Sequence, residues 1–106
     1  MCHVAGSAGA THRVCIVDTQ GHVVRSNGGE GGSADGQLNY PYCLAVDTSD
    51  HVLVADYYNN RGLLLSSSLD YLGNVTLPGY KLRRPYLLHF DQINSRLFIC
   101  EYLLIK

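Results

Sequence analysis

The stretch "YPYCLAVDTSDHVLVADYYNNR", residues 40–61, holds two β-rich runs, "YCLAVD" and "HVLVAD", on either side of the turn formers Thr48, Ser49 and Asp50. Runs of that length, bounded by turn residues, read as strands, and two of them joined so tightly pair antiparallel. Some 44 positions later "RPYLLHFDQINSRLFICEY", residues 84–102, restates the pattern. Pro41 returns as Pro85, Asp47 as Asp91 and Asp56 as Glu101.

Working outward, the same texture fills the chain and helical periodicity is hard to find. "RVCIVD" and "VVRS" flank the turn "TQGH", and the glycine-rich connector "NGGEGGSADGQ" (27–37) leads into the first stretch. "RGLLLSS" and "YLGNVTL" follow it around the turn "SLD", and "PGYKLRR" (78–84) leads into the second. "LLIK" (103–106) reads as the start of a further strand. With the strands of one repeat labelled a, b, c and d, the chain reads c-d, then a-b-c-d, then a-b and the beginning of c. Four strands recurring every 40 to 50 residues or so mark the blade of a β-propeller, so the expected fold is all-β, with blades that are four-stranded antiparallel meanders. The divisions that follow are an N-terminal flexible segment at 1–11, strands c-d with their connector at 12–38, a complete blade at 39–83, and a partial blade at 84–106.

Composition narrows the function classes. Of 106 residues, 46% are hydrophobic and 16% charged, enough for a packed core and too few charges for a disordered chain. A formal net charge of −1 argues against nucleic-acid binding through bulk charge. No apolar run reaches the roughly 18 residues a membrane helix needs, and "MCHVAGSAGATHR" lacks the basic leader and apolar stretch of a signal peptide, so a cytoplasmic protein is expected. Cys15, Cys43 and Cys100 stand in apolar runs where a thiol behaves as a small hydrophobe, and Cys2 adds no paired metal-ligand spacing. The sequon Asn74-Val75-Thr76 has meaning only in a secreted chain.

The residues from Gly28 to Arg61 carry a family resemblance. "GGEGGSADGQLNYPYCLAVDTSDHVLVADYYNNR" resembles the NHL repeat, in which a proline precedes A-V-D and a V-A-D-x-x-N-x-R step follows the turn. Pro41, Ala45, Val46, Asp47, Val54, Ala55, Asp56, Asn59 or Asn60, and Arg61 fit that pattern, and "THRV" (11–14) is similar to the step that opens strand c. Cys43 stands at the usual glycine, as does Leu87 in the later unit, where His89 replaces the usual alanine. The resemblance implies a propeller, most like that of the tripartite-motif proteins, whose propeller follows RING, B-box and coiled-coil segments of a ubiquitin ligase. None of those segments is in these residues.

Each blade must cover its faces with its neighbours, so Leu44, Val46, Val52 and Val54 are expected between blades. Asp47 and Asp91 are expected to accept turn amides. Propellers close with about four to eight blades, and this chain holds about two and a half by its period. It reads as a fragment, or as a unit whose head-to-tail self-association would complete a blade at each junction.

Signals of catalysis are poor. "GGEGGSADG" gives only a loose G-x-G-x-x-A with no helix after it, Ser66 to Ser68 fall in a turn, and the five histidines are not paired at ligand spacing. The expectation is no enzyme, no cofactor and no metal; the alternative is a fragment of a metal-dependent peptidyl-amidating lyase, for which only His89 is a candidate, or a structural scaffold. The meander itself offers more. Alternating strands send the b-to-c turns and d-to-a connectors to one face, which gathers Tyr40, Tyr42, Tyr57, Tyr58, Tyr80, Tyr86 and Tyr102 with Asn59, Arg61, Lys81, Arg83 and Arg84. Tyrosine, asparagine and arginine suit recognition. The expected partner-binding residues are Tyr42, Tyr57, Tyr58, Asn59, Arg61, Lys81, Arg83, Arg84 and Tyr86, and the expected partner is a protein, with RNA as the second class. A competing reading gives Asn59 or Asn60 an αL turn and Arg61 packing across the blade. Glu30, Asp35, Asp56 and Glu101 dilute the positive charge of that face.

Overall fold

In the computed structural model, residues 2–6, 12–29, 33–34 and 37–102 are described, and their regular structure is all strand apart from one 3₁₀ turn, Tyr57–Asn59. The first sheet holds β1 (Cys2–Gly6), β2 (His12–Val17) and β3 (Val23–Gly29). The second holds β4 (Pro41–Val46), β5 (Val52–Asp56), β6 (Arg61–Leu65) and β7 (Tyr71–Val75), and the third holds β8 (Pro85–Asp91) and β9 (Arg96–Glu101). Strand order follows chain order in every sheet and all pairs are antiparallel. These are the expected meander blades. The last fragment, 103–106, and the acids Glu30 and Asp35 lie outside the described residues.

Two strands differ from the reading of the sequence: β3 runs on through Asn27, Gly28 and Gly29, read there as the start of the connector, and a further strand precedes β2. Residues 2–6, placed there in a flexible segment, pair with β2 from Cys2 opposite Val17 to Gly6 opposite Arg13. Asp56 stands opposite Arg61 in the same way, so β1 is a strand b. Its signal is "VAG" at 4–6 echoing "VAD" at 54–56, with glycine in place of the carboxylate. The first and third sheets thus both contain a strand b.

The core lies between sheets. β5 is buried along its whole length because its two faces are covered by different neighbours. Val52 and Val54 join Val14 and Ile16 of β2, Leu63 and Leu65 of β6, and Leu38 and Leu69, with Leu44 packed against them. Leu53 and Ala55 face the other way, onto Ala45 and Leu88, with Phe90, Leu97 and Ile99 of the third sheet around them. Val46 is only half-buried. Each large apolar side chain so covered contributes about 1.5–3 kcal/mol, so the contacts that hold the molecule together are those between blades.

The turns opposite the connectors are built on one device. Asp47 Oδ1 accepts the N–H groups of Ser49 and His51 at 2.9 and 2.8 Å, while Oδ2 meets His51 Nδ1 at 3.0 Å. Asp18 does the same with Gln20 and His22, Asp91 with Ile93 and Asn94, and the Ser66 hydroxyl with Ser68 and Asp70. The backbone N–H of His22 holds the Asp18 carboxyl below its ordinary value, and the Asn94 amide does this for Asp91. For Asp47 burial pushes upward, but the hydrogen bonds from His51 and Ser49 outweigh it and its value is also lowered. A carboxylate with a depressed folded value stabilises fully above the unfolded value near pH 4 and loses that contribution as pH falls through the folded one. Stability is therefore expected to fall as pH drops from about 5 toward 2. Urea denaturation across that window, in the wild type and in Asp18→Asn, Asp47→Asn, Asp91→Asn, checks it: the triple variant should show a flatter slope, and an unchanged slope would refute the assignment.

Candidate functional site

Repetition of the backbone creates the connector face. Asn39, two residues before Pro41, donates its N–H to Asp56 Oδ1 at 2.7 Å; Arg83, two residues before Pro85, donates its N–H to Glu101 Oε2 at 2.8 Å. Tyr57 N–H reaches Tyr40 O, and Tyr102 N–H reaches Arg84 O, at 3.2 and 3.1 Å. Tyr40 and Arg84 themselves have φ of 66° and 45°, an uncommon conformation for large side chains. The hydrogen bonds on either side hold them there. In the second and third sheets a carboxylate at the end of strand b pins the connector that precedes strand a.

Two bulges then aim side chains outward. The ladder between β4 and β5 skips from Pro41 to Cys43, and that between β8 and β9 skips from Pro85 to Leu87. The unpaired residues are Tyr42 and Tyr86, freed from the alternation that would assign them to one sheet face. Both are exposed. Tyr42 joins a continuous ledge: its ring centroid lies 5.4 Å from Tyr40 and 5.1 Å from Tyr57, and Tyr58 stands edge-on to both Tyr40 and Tyr57 at 5.5 and 4.9 Å. Such separations are favourable for aromatic pairs. His12 extends the ledge with its ring 6.3 Å from Tyr40, and its Nδ1 accepts the Tyr40 N–H at 2.9 Å, which places the neutral ring's proton on Nε2.

Among the expected residues, the structure separates those turned outward from those held inside. Arg61 does not present itself to a partner: its side chain is 14% exposed, Nε pairs with Asp56 Oδ2 at 3.0 Å, and the other nitrogens donate to the carbonyls of Ser33, Ala34 and Gln37. Asn59 donates to Asp56 Oδ2 at 2.8 Å. Asp56, fully buried, is the hub of that network. Asn60 takes the αL position, φ 53°, and its Oδ1 accepts the Arg84 N–H at 2.9 Å, tying the turn after β5 to the next connector. The packing reading of Arg61 and the turn reading of Asn60 thus describe these two residues. Lys81, Arg83 and Arg84 are exposed, and the Tyr80 hydroxyl donates to Glu101 Oε1, which raises the tyrosine's pKa. A groove of about 240 Å³ opens beside them, lined by Asn60, Asn74, Thr76, Leu77, Tyr80 and Lys81 among others.

The segment that builds the ledge can be compared with known families. Residues 38–61 match the family model of the NHL repeat. This part of the second sheet is thus similar to an NHL repeat. The match runs from buried Leu38 through β4 and β5 to Arg61, so it contains Asp56 with its donors Asn39, Asn59 and Arg61, as well as Tyr40, Tyr42, Tyr57 and Tyr58, while the connector carbonyls that Arg61 also holds precede it. No curated protein matches the chain.

Outside this face the chemistry is sparse. Among the described residues no three His, Cys, Asp or Glu side chains gather as metal ligands, and no helix is long and apolar enough to cross a membrane. His89 lies on β8 opposite Phe98 of β9, with the rings 6.3 Å apart.

Proposed function

We propose that the chain is part of an interaction propeller that binds a protein partner through the connector face, as a module without catalysis of its own. The observation that carries this is the tyrosine ledge: four rings linked through Tyr40 and Tyr57, of which Tyr40, Tyr42 and Tyr58 remain 39, 52 and 53% exposed. Rings needed only for the core would be covered, as the leucines between the sheets are. Exposed tyrosines in a fixed frame offer contact area at small entropic cost, with hydroxyls that give direction. The NHL repeat supports the interaction role, and likeness to tripartite-motif propellers suggests the more specific one of recognising the substrate of a ubiquitin ligase whose catalytic segments are not among these 106 residues.

A photo-crosslinking residue introduced at Tyr42 or Tyr58 is expected to capture a protein in cells expressing the chain, whereas one at Ser49 or Gln92, in the opposite turns, is not. Tyr42→Ala with Tyr58→Ala should weaken binding of the captured protein roughly tenfold or more. Capture from the opposite turns alone would overturn the reading.

A further inference from the structure

Charge is unevenly divided between the two faces. Among the described residues, Asp18, Asp47, Asp50, Asp70 and Asp91 in or beside the turns between strands a and b and between c and d stand against Arg25 and Arg96 of the adjoining strands. On the connector face the balance reverses. Both of its described carboxylates are occupied: Asp56 is buried under donors from Asn39, Asn59 and Arg61, and Glu101 is held by Tyr80 and the Arg83 backbone. Lys81, Arg83 and Arg84 are exposed within four consecutive positions, and their side chains have no anionic partner among the described residues. In a chain of net charge −1, three exposed cations within four positions, beside the single carboxylate of Glu101 among the described residues there, are a local feature that an anionic partner would complement.

The cations and the ledge share one frame. Arg84 N–H on Asn60 Oδ1 fixes the cationic connector against the turn that carries Tyr57 and Tyr58, and Tyr102 N–H on Arg84 O holds the same connector to the end of β9. One extended segment could therefore lay an aromatic or proline side chain on the tyrosines and carboxylates on the arginines, whose planar guanidinium groups donate to them bidentately. The groove beside Lys81 leaves room for a further side chain. A nucleic acid fits less well: affinity for phosphate backbones grows with the number of cations that reach them, and this cluster supplies three in a chain of net charge −1.

We propose that the segment bound at this face is an acidic peptide bearing aromatic or proline residues, read by the tyrosine ledge together with Lys81, Arg83 and Arg84. This rests on the reading of the face given above. The test is fluorescence anisotropy of the full chain with labelled poly(Glu,Tyr), polyglutamate, poly(Lys,Tyr) and oligouridine. Poly(Glu,Tyr) is expected to bind at least tenfold more tightly than each of the other three. The variant Lys81→Gln, Arg83→Gln, Arg84→Gln should lose at least tenfold in affinity for it while keeping the wild-type circular dichroism and denaturation midpoint, and Tyr42→Ala, Tyr58→Ala should lose as much. Equal binding of poly(Lys,Tyr), tighter binding of oligouridine, or binding of no probe would overturn the proposal. If the glutamine variant binds unchanged while the tyrosine variant does not, the acidic preference falls and the face reading stands. If neither variant alters binding, both fall.

Discussion

Replacing Asp56 with alanine is expected to lower the free energy of unfolding by about 3–5 kcal/mol, the range seen when one partner of a buried ion pair is removed. The carboxylate is wholly inaccessible to water, and each of its oxygens is occupied. Its loss strands three donors: the Asn39 backbone N–H, the Asn59 amide and the Arg61 guanidinium, which is itself largely buried. An unsatisfied buried polar group costs about 1–3 kcal/mol, more when charged. Because Arg61 also ties down the connector carbonyls of Ser33, Ala34 and Gln37, the damage should spread to the connector that leads into β4.

Glu101 occupies the same place in the next blade and provides the control. It too holds a connector N–H, but in the open, and its second oxygen meets the exposed Tyr80 hydroxyl instead of a buried arginine. Glu101→Ala should cost only about 1 kcal/mol, the ordinary net worth of a hydrogen bond near water. Urea denaturation of Asp56→Ala, Arg61→Ala, their double variant and Glu101→Ala measures all of this. The double variant should cost less than the sum of the two singles by at least about 1 kcal/mol, since the residues share one network. Additive effects, or an Asp56→Ala cost no greater than that of Glu101→Ala, would show that burial is not what distinguishes the two carboxylates.

What the sequence discloses here depends on how local the cause is. β2 to β9 could be read because each is a short apolar run between turn formers, and the turn carboxylates because an Asx turn closes within four residues. The sorting of tyrosines onto one face followed from strand alternation alone. β1 was hidden because Gly6 replaces the carboxylate that makes Asp56 recognisable and because two more residues separate it from its arginine. Arg61 reads as a partner residue because its acceptors lie 24 to 28 positions away, in a connector whose path no local pattern encodes. His12 is silent in the sequence for the same reason: its bond to the Tyr40 amide joins two different blades. The outward aim of Tyr42 and Tyr86 depends on bulges, which register alone reveals.

A single step of alternation along β5 should decide which neighbouring blade is lost. Leu53 and Val54 are adjacent and both are buried, yet Leu53 faces the third sheet and Val54 the first. Aspartate at either position removes apolar packing worth about 2–5 kcal/mol for a leucine and adds a carboxyl with no hydrogen-bond partner to desolvate. In Leu53→Asp the amides of β8 and β9 should exchange with solvent deuterium far faster than in the wild type while those of β2 stay protected. In Val54→Asp the order should reverse, with β2 losing protection first and β8 and β9 keeping theirs. Global unfolding in both variants would mean that the sheets form one cooperative unit, and a common pattern of local loss would contradict the face assignment. Separable losses would instead place the cooperativity within blades and make the contacts between them the weaker links, as expected where each repeat contacts only its nearest neighbours.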